Sequence, residues 1–245
     1  MLNKYSDLVE ERFKSKEIGK FLDENGFYYI KDVDSLINTT LSEKEKFIGF
    51  WDNLILDINY INYTYRKRRI LRYKYFYGSE IIINKDSNYD SSVTYDIDYV
   101  RGQNKLTYAE DGFIYGDVIN ELIKIDLAFL DCKLKRNKHY IIDIHQFRVE
   151  ANFGKSSPTT SGIHQDGLDW IVMHFIKSSN ILPVISEVFS SENESDVLMS
   201  KSMSSFLETI IVSDKSHYHR ATPVRQHLMN QPAYRDLLLV TFRQI

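Results

Sequence analysis

The sequence predicts a mainly β fold with flanking α-helices, on the basis of its length and its hydrophobic patterns. With 245 residues, the chain is long enough to bury the core of one sizeable domain, which we expect to span residues 1–245. Helical spacing of apolar residues is concentrated in the N-terminal half, and apolar stretches of strand length dominate the C-terminal half. No repeat or linker divides the two. We therefore expect a β-rich core buttressed by N-terminal helices.

Three segments have the spacing of apolar residues that is typical of α-helices: residues 6–24, a segment from Ser42 toward Leu56, and residues 117–129. Asn25-Gly26 offers the first helix a stop with glycine in the left-handed conformation. Ser42, followed three residues later by Glu45, resembles the capped start of the second helix.

Short apolar and aromatic segments predict the strands. They are residues 27–30, 70–76, 140–152, 168–176, 207–212 and 236–242. Five of the six lie at or beyond residue 70, so the β-structure is expected mainly after the first two helices.

Charge and composition exclude some classes of protein. The net charge is −3 and the pI is near 6.2, which argues against a general role on nucleic acid or on membrane surfaces. No apolar run approaches the ~18 residues of a membrane helix, and no secretory signal opens the chain. The lone Cys132 cannot form an internal disulfide. These features lead us to expect a cytoplasmic protein.

A basic aromatic run at residues 63–77 allows two interpretations. Arginines interleaved with tyrosines could neutralise phosphates and stack bases, which would indicate nucleic-acid binding. Alternatively, the run is a strand whose alternate residues pack in the core while its long cations lie on the surface. We favour the strand.

The residues His164 and Asp166, together with His219 far downstream, form a candidate set of metal ligands. In an extended segment, residues i and i+2 point to the same face, so His164 and Asp166 can reach one ion. Two histidines and one carboxylate are the ligand set of non-haem Fe(II) oxygenases, which leaves positions open for a co-substrate and O2. His217 competes with His219 for the third place, and Asp169 could be mistaken for the carboxylate ligand.

Several motifs carry a resemblance to a known family. They are Gly162-Ile163-His164-Gln165-Asp166-Gly167-Leu168-Asp169, the distal segment Asp214–Pro223 with Tyr218-His219-Arg220-Ala221-Thr222-Pro223, the closing segment Tyr234–Phe242, and Gln146-Phe147-Arg148. In order and spacing this part of the chain, residues 140–245, resembles bacterial 2-oxoglutarate and Fe(II) dependent dioxygenases related to L-isoleucine 4-hydroxylase. The chain departs from the family at Asn180–Ser186, where a Gly-Gly-Glu turn is usual, and at Ser213.

The resemblance implies a double-stranded β-helix, the jelly-roll core of cupin-like oxygenases. It implies that His164, Asp166 and His219 bind Fe(II), and that 2-oxoglutarate and O2 are consumed to give succinate and CO2. The expected reaction hydroxylates an unactivated C–H bond of a free L-amino acid or a close derivative. The alternatives are a peptide, protein or natural-product hydroxylase, and a non-catalytic metal- or RNA-binding protein.

Further residues are candidates for binding the two organic ligands. Arg235, at the start of the last strong strand, is our choice for the distal carboxylate of 2-oxoglutarate, with Arg220, Arg225 and Arg243 as competitors. Thr222 or Thr241 could add a hydroxyl to the same carboxylate. For the carboxylate of the substrate we expect Arg148, or one of Arg66, Arg68 and Arg69. Candidates for shaping the side-chain pocket are Trp170, Phe147 and Phe175.

Overall fold

A computed structural model describes residues 15–58, 64–79, 81–84, 88–90, 103–151, 155–156 and 162–245. Its helices are α1 (Ser15–Asn25), α2 (Leu41–Gly49), α3 (Asp111–Ile114) and α4 (Asp117–Leu130), with 3-10 turns at Asp34–Leu36 and Phe50–Asn53. Its strands are β1 (Phe27–Ile30), β2 (Ile55–Leu56), β3 (Arg66–Phe76), β4 (Ile81–Ile83), β5 (Asn88–Asp90), β6 (Gln103–Lys105), β7 (His139–Glu150), β8 (Lys155–Ser156), β9 (Trp170–Ser179), β10 (Ile185–Phe189), β11 (Val197–Ser202), β12 (Thr209–Val212), β13 (Tyr218–Ala221), β14 (Val224–Arg225) and β15 (Tyr234–Gln244).

The main sheet of the described residues has eight antiparallel strands in the order β1-β12-β9-β15-β7-β3-β2, with β4 beside β3. A smaller sheet, β11-β10-β13, carries His219. Together they form the jelly-roll that the resemblance implies, and the fold class is confirmed. None of the helices in the described ranges combines the length and the apolar character needed to span a bilayer.

The two faces of the main sheet differ in what covers them. On β15, the helix face carries Asp236, Leu238, Val240 and Phe242, and the last three join the helices in the largest hydrophobic cluster. The inner face carries Arg235, Leu237, Leu239 and Thr241. Because β7 pairs with β15 and with β3 without a register shift, each position of β15 assigns its neighbours on β7 and β3 to the same face. Strand β9 follows the same alternation from Leu237 onward, after an irregularity between Asp236 and Leu237.

Most of the predicted elements are confirmed. The strand at residues 27–30 has the bounds we expected, and the helix predicted over 117–129 is α4. Strand β3 begins at Arg66, four residues earlier than predicted, because its arginines are part of the strand. Residues 6–14 of the first predicted helix lie outside the described residues, and the remainder forms α1.

The second predicted helix begins and ends earlier in the structure than the sequence predicts. Its cap is Thr40 with Glu43, two residues before the predicted pair: the Thr40 hydroxyl accepts from Glu43 N, and the Glu43 carboxylate accepts from Thr40 N at 2.6 Å. The helix also ends at Gly49 instead of continuing through Trp51. A tighter 3-10 turn follows, which places the buried Trp51 indole N–H against two carbonyl oxygens of the main sheet.

Trp51 connects the helical layer to the strands that carry the inner face. Its Nε1–H donates to Phe147 O at 3.0 Å and Leu237 O at 3.2 Å, and the ring packs against Phe47 and Phe113. We predict that Trp51→Phe lowers the free energy of unfolding by about 1–3 kcal/mol, because a buried donor and part of the ring are lost. Chemical denaturation measures this loss. Trp170→Phe, at a partly exposed indole, is the control, and an equal loss in both variants would contradict the prediction.

Candidate metal centre

His164, Asp166 and His219 come together between the two sheets. His164 and His219 form a bridge in which each backbone N–H donates to the other carbonyl, His164 N to His219 O at 3.1 Å and His219 N to His164 O at 2.8 Å. The ligand atoms of the three residues all lie within 4.8 Å of one another. Such a group can surround one cation, and residues from the loop before β9 and from β13 contribute to it.

An acceptor beside Nδ1 of each imidazole leaves the same ring nitrogen, Nε2, facing Asp166. Nδ1 of His164 lies 3.0 Å from Gly162 O, and Nδ1 of His219 lies 3.4 Å from the Asp214 carboxylate. Both neighbours are acceptors, so each favours a proton on Nδ1 and a lone pair on Nε2. The Nε2 atoms face the carboxylate of Asp166 at 3.7 Å and 3.5 Å. The donor set therefore fits a divalent metal held by two Nε2 atoms and one carboxylate oxygen.

The three side chains of the cluster change one another's pKa values. Burial opposes the charged form of His219, but the hydrogen bonds and charges of Asp166 and Asp214 outweigh it and raise its pKa to about 10. Although burial works in the other direction, His219 and His164 lower the pKa of Asp166. Burial, followed by the charge of His219, lowers the pKa of His164. A divalent cation that binds Nε2 of His219 competes with a proton for the same lone pair.

The two competing residues are engaged elsewhere. Nδ1 of His217 lies 2.9 Å from the Ser216 hydroxyl, and its ring packs edge-on against Phe27. A Cβ at Gly26 would collide with this ring. The carboxylate of Asp169 accepts from Gln244 N and from the Lys215 ammonium. Neither side chain belongs to the cluster.

Arg235 lies on the inner face, completely enclosed by protein. Its Nη2 donates to the Ser186 hydroxyl at 3.2 Å, and its buried Nη1 has no hydrogen-bond partner among the described residues. Burial lowers its pKa to about 10. A buried guanidinium without a carboxylate is costly unless a ligand supplies the anion. The site therefore fits a co-substrate that carries a carboxylate. Ser186 was missed because a lone serine has no sequence signal.

One of the two threonines proposed beside Arg235 is ruled out by distance. Thr241 lies six positions after Arg235 on one continuous strand, or roughly 20 Å away, too far for both to bind one carboxylate. The Thr241 hydroxyl donates to Asp143 O instead. Thr222 extends the pairing of β13 with β10, since its hydroxyl accepts from Ile185 N at 2.9 Å.

Three of the four arginines of β3 are buried, which corrects the expectation that they lie on the surface. Arg66, Arg68 and Arg72 are on the inner face. Arg66 Nη2 and Arg68 Nε lie 2.7 Å and 3.0 Å from the same oxygen of Asp57, and Arg72 binds both oxygens of Asp143. This part of the basic run thus forms no exposed basic surface of the kind that binds RNA.

These arginines surround a neutral histidine and a phenylalanine. Arg66 lies over the Phe147 ring, with its Cζ 4.6 Å from the centroid, and Arg68 is at 5.5 Å. His145 stacks on the same ring. Burial, and then the positive charges of Arg68, Arg66 and Arg72, lowers the pKa of His145 well below its usual range. The charge of Asp166 also acts on His145, so this cluster adjoins the candidate metal centre.

Three predicted substrate residues lie on the helix face of the sheet, opposite the face that carries Arg66 and Arg68. Arg148 binds both oxygens of Asp236 and also reaches Asp52. Arg69 donates to the carbonyl oxygens of Asn53 and Tyr108, and Trp170 packs against the helical cluster. All three belong to the helix face, because their neighbours in register on β15 are Asp236, Leu238 and Phe242. Phe147 and Phe175 are on the inner face.

A model of the 2OG-Fe dioxygenase family matches residues 49–241. The chain belongs to this family. It is therefore a 2-oxoglutarate-dependent non-haem iron dioxygenase, and its cofactors are Fe(II), 2-oxoglutarate and O2, as the resemblance implied. No curated protein matches the sequence significantly.

Three solved structures of similar proteins share the fold of this dioxygenase. IDO from Bacillus thuringiensis is 20% identical, with a TM-score of 0.79 over 95% of this chain and 96% of that one. A bsmA homolog from Methylobium petroleophilum is 17% identical, with a TM-score of 0.79 over 94% and 92%. The Fe(II)/α-ketoglutarate-dependent dioxygenase TqaL is 13% identical, with a TM-score of 0.74 over 98% and 88%. At these identities the likeness supports the fold.

Proposed function

We propose that this dioxygenase hydroxylates an unactivated C–H bond of a free L-amino acid or a close derivative, releasing succinate and CO2. The observation that carries the proposal is a group of buried charged side chains on the inner face, beside the metal centre. There, the buried Arg66 and Arg68 lie over the half-buried Phe147 ring and share one oxygen of the buried Asp57. An amino acid has a carboxylate and an ammonium at one end, and such a site can bind both.

The metal would be held by His164 Nε2, Asp166 and His219 Nε2, which converge from two elements. When bound, Fe(II) supplies O2 activation coupled to oxidation of 2-oxoglutarate. The protein orients the ligands through the acceptors at both Nδ1 atoms and largely buries the two imidazoles.

2-Oxoglutarate would place its distal carboxylate on Arg235. The guanidinium can form two parallel hydrogen bonds with a carboxylate, and Nη1 is the nitrogen that still needs an acceptor. The Ser186 hydroxyl, already bound to Nη2, fixes the orientation of the guanidinium. Thr222 lies on the neighbouring strand, where it stabilises the backbone that presents Ser186.

The substrate would be recognised by Arg66, Arg68 and Asp57. One oxygen of Asp57 faces both guanidinium groups, and the other is buried without a hydrogen-bond partner among the described residues. That oxygen is suited to accept from an ammonium, while the arginines face a carboxylate. Half-buried apolar side chains on the same face would then contact an aliphatic side chain: Phe147, Met173 and Leu239.

The requirement for a free ammonium group on the substrate tests this proposal. We predict that N-acetylation, or incorporation into a peptide, lowers kcat/KM by about tenfold or more, because a buried partner of the ammonium stays unpaired at about 1–3 kcal/mol. Mass spectrometry for the gain of one oxygen, first across the common L-amino acids and then on the modified forms of the best one, measures this. Comparable hydroxylation of all three forms would overturn the free-amino-acid assignment and favour a peptide or protein hydroxylase.

We further propose that residues 1–245 form one domain, since the family match spans most of the chain. A small molecule, not nucleic acid or a membrane, is the proposed partner, and a cytoplasmic location is consistent with the lone cysteine.

A further inference from the structure

A completely buried carboxylate, Asp214, lies directly behind the proposed metal ligands. Its two oxygens accept from the backbone N–H groups of Asp166, at 3.0 Å, and Leu168, at 2.8 Å. Its own carbonyl oxygen accepts from the Gln165 side chain at 2.8 Å. Asp214 thus fixes the segment that carries the carboxylate ligand.

The same carboxylate also reaches the other half of the centre. Oδ1 of Asp214 lies 3.4 Å from Nδ1 of His219, and among the described residues His219 is its only ion-pair partner. The distance is longer than an ideal hydrogen bond, so the attraction is chiefly electrostatic. A carboxylate behind a histidine ligand holds the proton on Nδ1, orients the ring and makes Nε2 a stronger donor.

We propose that Asp214 is a positioning residue that couples the two halves of the metal centre: it aligns Asp166 through the backbone and His219 through Nδ1. It touches neither the metal nor the substrate and acts through the ligands alone. The inference rests on the ligand set proposed above. The positioning role predicts that loss of the negative charge of Asp214 weakens metal binding even when the shape of its side chain is preserved.

Asp214→Asn tests the charge, and Asp169→Asn is the matched control. Asp169 lies in the loop that carries Asp166 and, like Asp214, accepts a backbone N–H, here from Gln244, but it does not contact a proposed metal ligand. Calorimetry with Co(II) in place of Fe(II) should show an affinity at least about tenfold weaker for Asp214→Asn. Asp169→Asn should bind Co(II) as the wild type does. At saturation, the visible spectrum of Co(II) should change only in Asp214→Asn, which loss of stability alone would not produce.

The outcomes separate this inference from the proposed ligand set. If the wild type binds no Co(II), or if His219→Ala binds it unchanged, the ligand set is wrong. If His219→Ala loses binding but Asp214→Asn behaves like Asp169→Asn, only the role of Asp214 is overturned. Should Asp214→Asn not fold, 15N NMR of histidine in the Zn(II)-loaded wild type decides. A His219 Nδ1–H that is protected from exchange supports the role, and rapid exchange contradicts it.

Discussion

Replacing His164, Asp166 or His219 by alanine is expected to abolish 2-oxoglutarate turnover, with a loss on the order of a thousandfold or more. The reason is that each replacement removes one of three protein bonds to the metal, and the metal lowers the activation barrier by several kcal/mol. Asp166→Glu should fail as well, because one extra methylene displaces the carboxylate. Succinate formation in the presence of Fe(II) measures the effect. The fold should survive, since these residues lie outside the hydrophobic clusters.

His217→Ala is the matched control for the third ligand. Its ring packs against Gly26 and Phe27, so its removal should reduce stability while turnover is largely retained. Retention of activity in His219→Ala together with its loss in His217→Ala would show that the third ligand has been assigned to the wrong histidine.

Replacing Arg235 is expected to have the second-largest effect, and it should appear in the KM for 2-oxoglutarate. Arg235→Ala removes the only charged partner proposed for the distal carboxylate and should raise KM by about a hundredfold, since charged hydrogen bonds contribute about 1.5–3 kcal/mol each. Arg235→Lys keeps the charge but loses the bidentate geometry, so about a tenfold increase is expected. Steady-state kinetics with varied 2-oxoglutarate measures both.

Arg225→Lys, an exposed arginine on β14, serves as the control for Arg235 and should leave KM unchanged. An unaltered KM in Arg235→Lys and Arg235→Ala would remove Arg235 from the co-substrate site. Arg220 would then be the next candidate, although its guanidinium already pairs with Glu187 and Glu194.

Local patterns in the sequence predicted most of the elements, because spacing of apolar residues reflects which face is buried. Strands 27–30 and 236–242 and helix 117–129 follow from this alone. The His-x-Asp spacing also brought two ligand candidates together, since a short extended segment has a known geometry. The cap at Thr40 was misplaced because Ser42 with Glu45 has the same pattern, and only the tertiary contacts choose between them.

The partners of the charged residues could not be predicted, because they depend on register between distant strands. Arg148 and Arg66 are both candidates for the substrate carboxylate in the sequence, yet pairing of β3 with β7 puts them on opposite faces. Asp236 neutralises the first and Asp57 the second. The contact between Ser186 and Arg235 likewise could not be predicted, because it depends on the position of β10 relative to the strand that carries Arg235.

A crystal structure of the wild type, grown without O2 in the presence of Fe(II) and 2-oxoglutarate, tests the metal centre most directly. Anomalous scattering at the iron edge locates the metal without reference to the protein. We predict one iron position per chain, bonded to Nε2 of His164, a carboxylate oxygen of Asp166 and Nε2 of His219. An iron bound through His217 or His145, or a chain without iron at these three residues, would contradict the account.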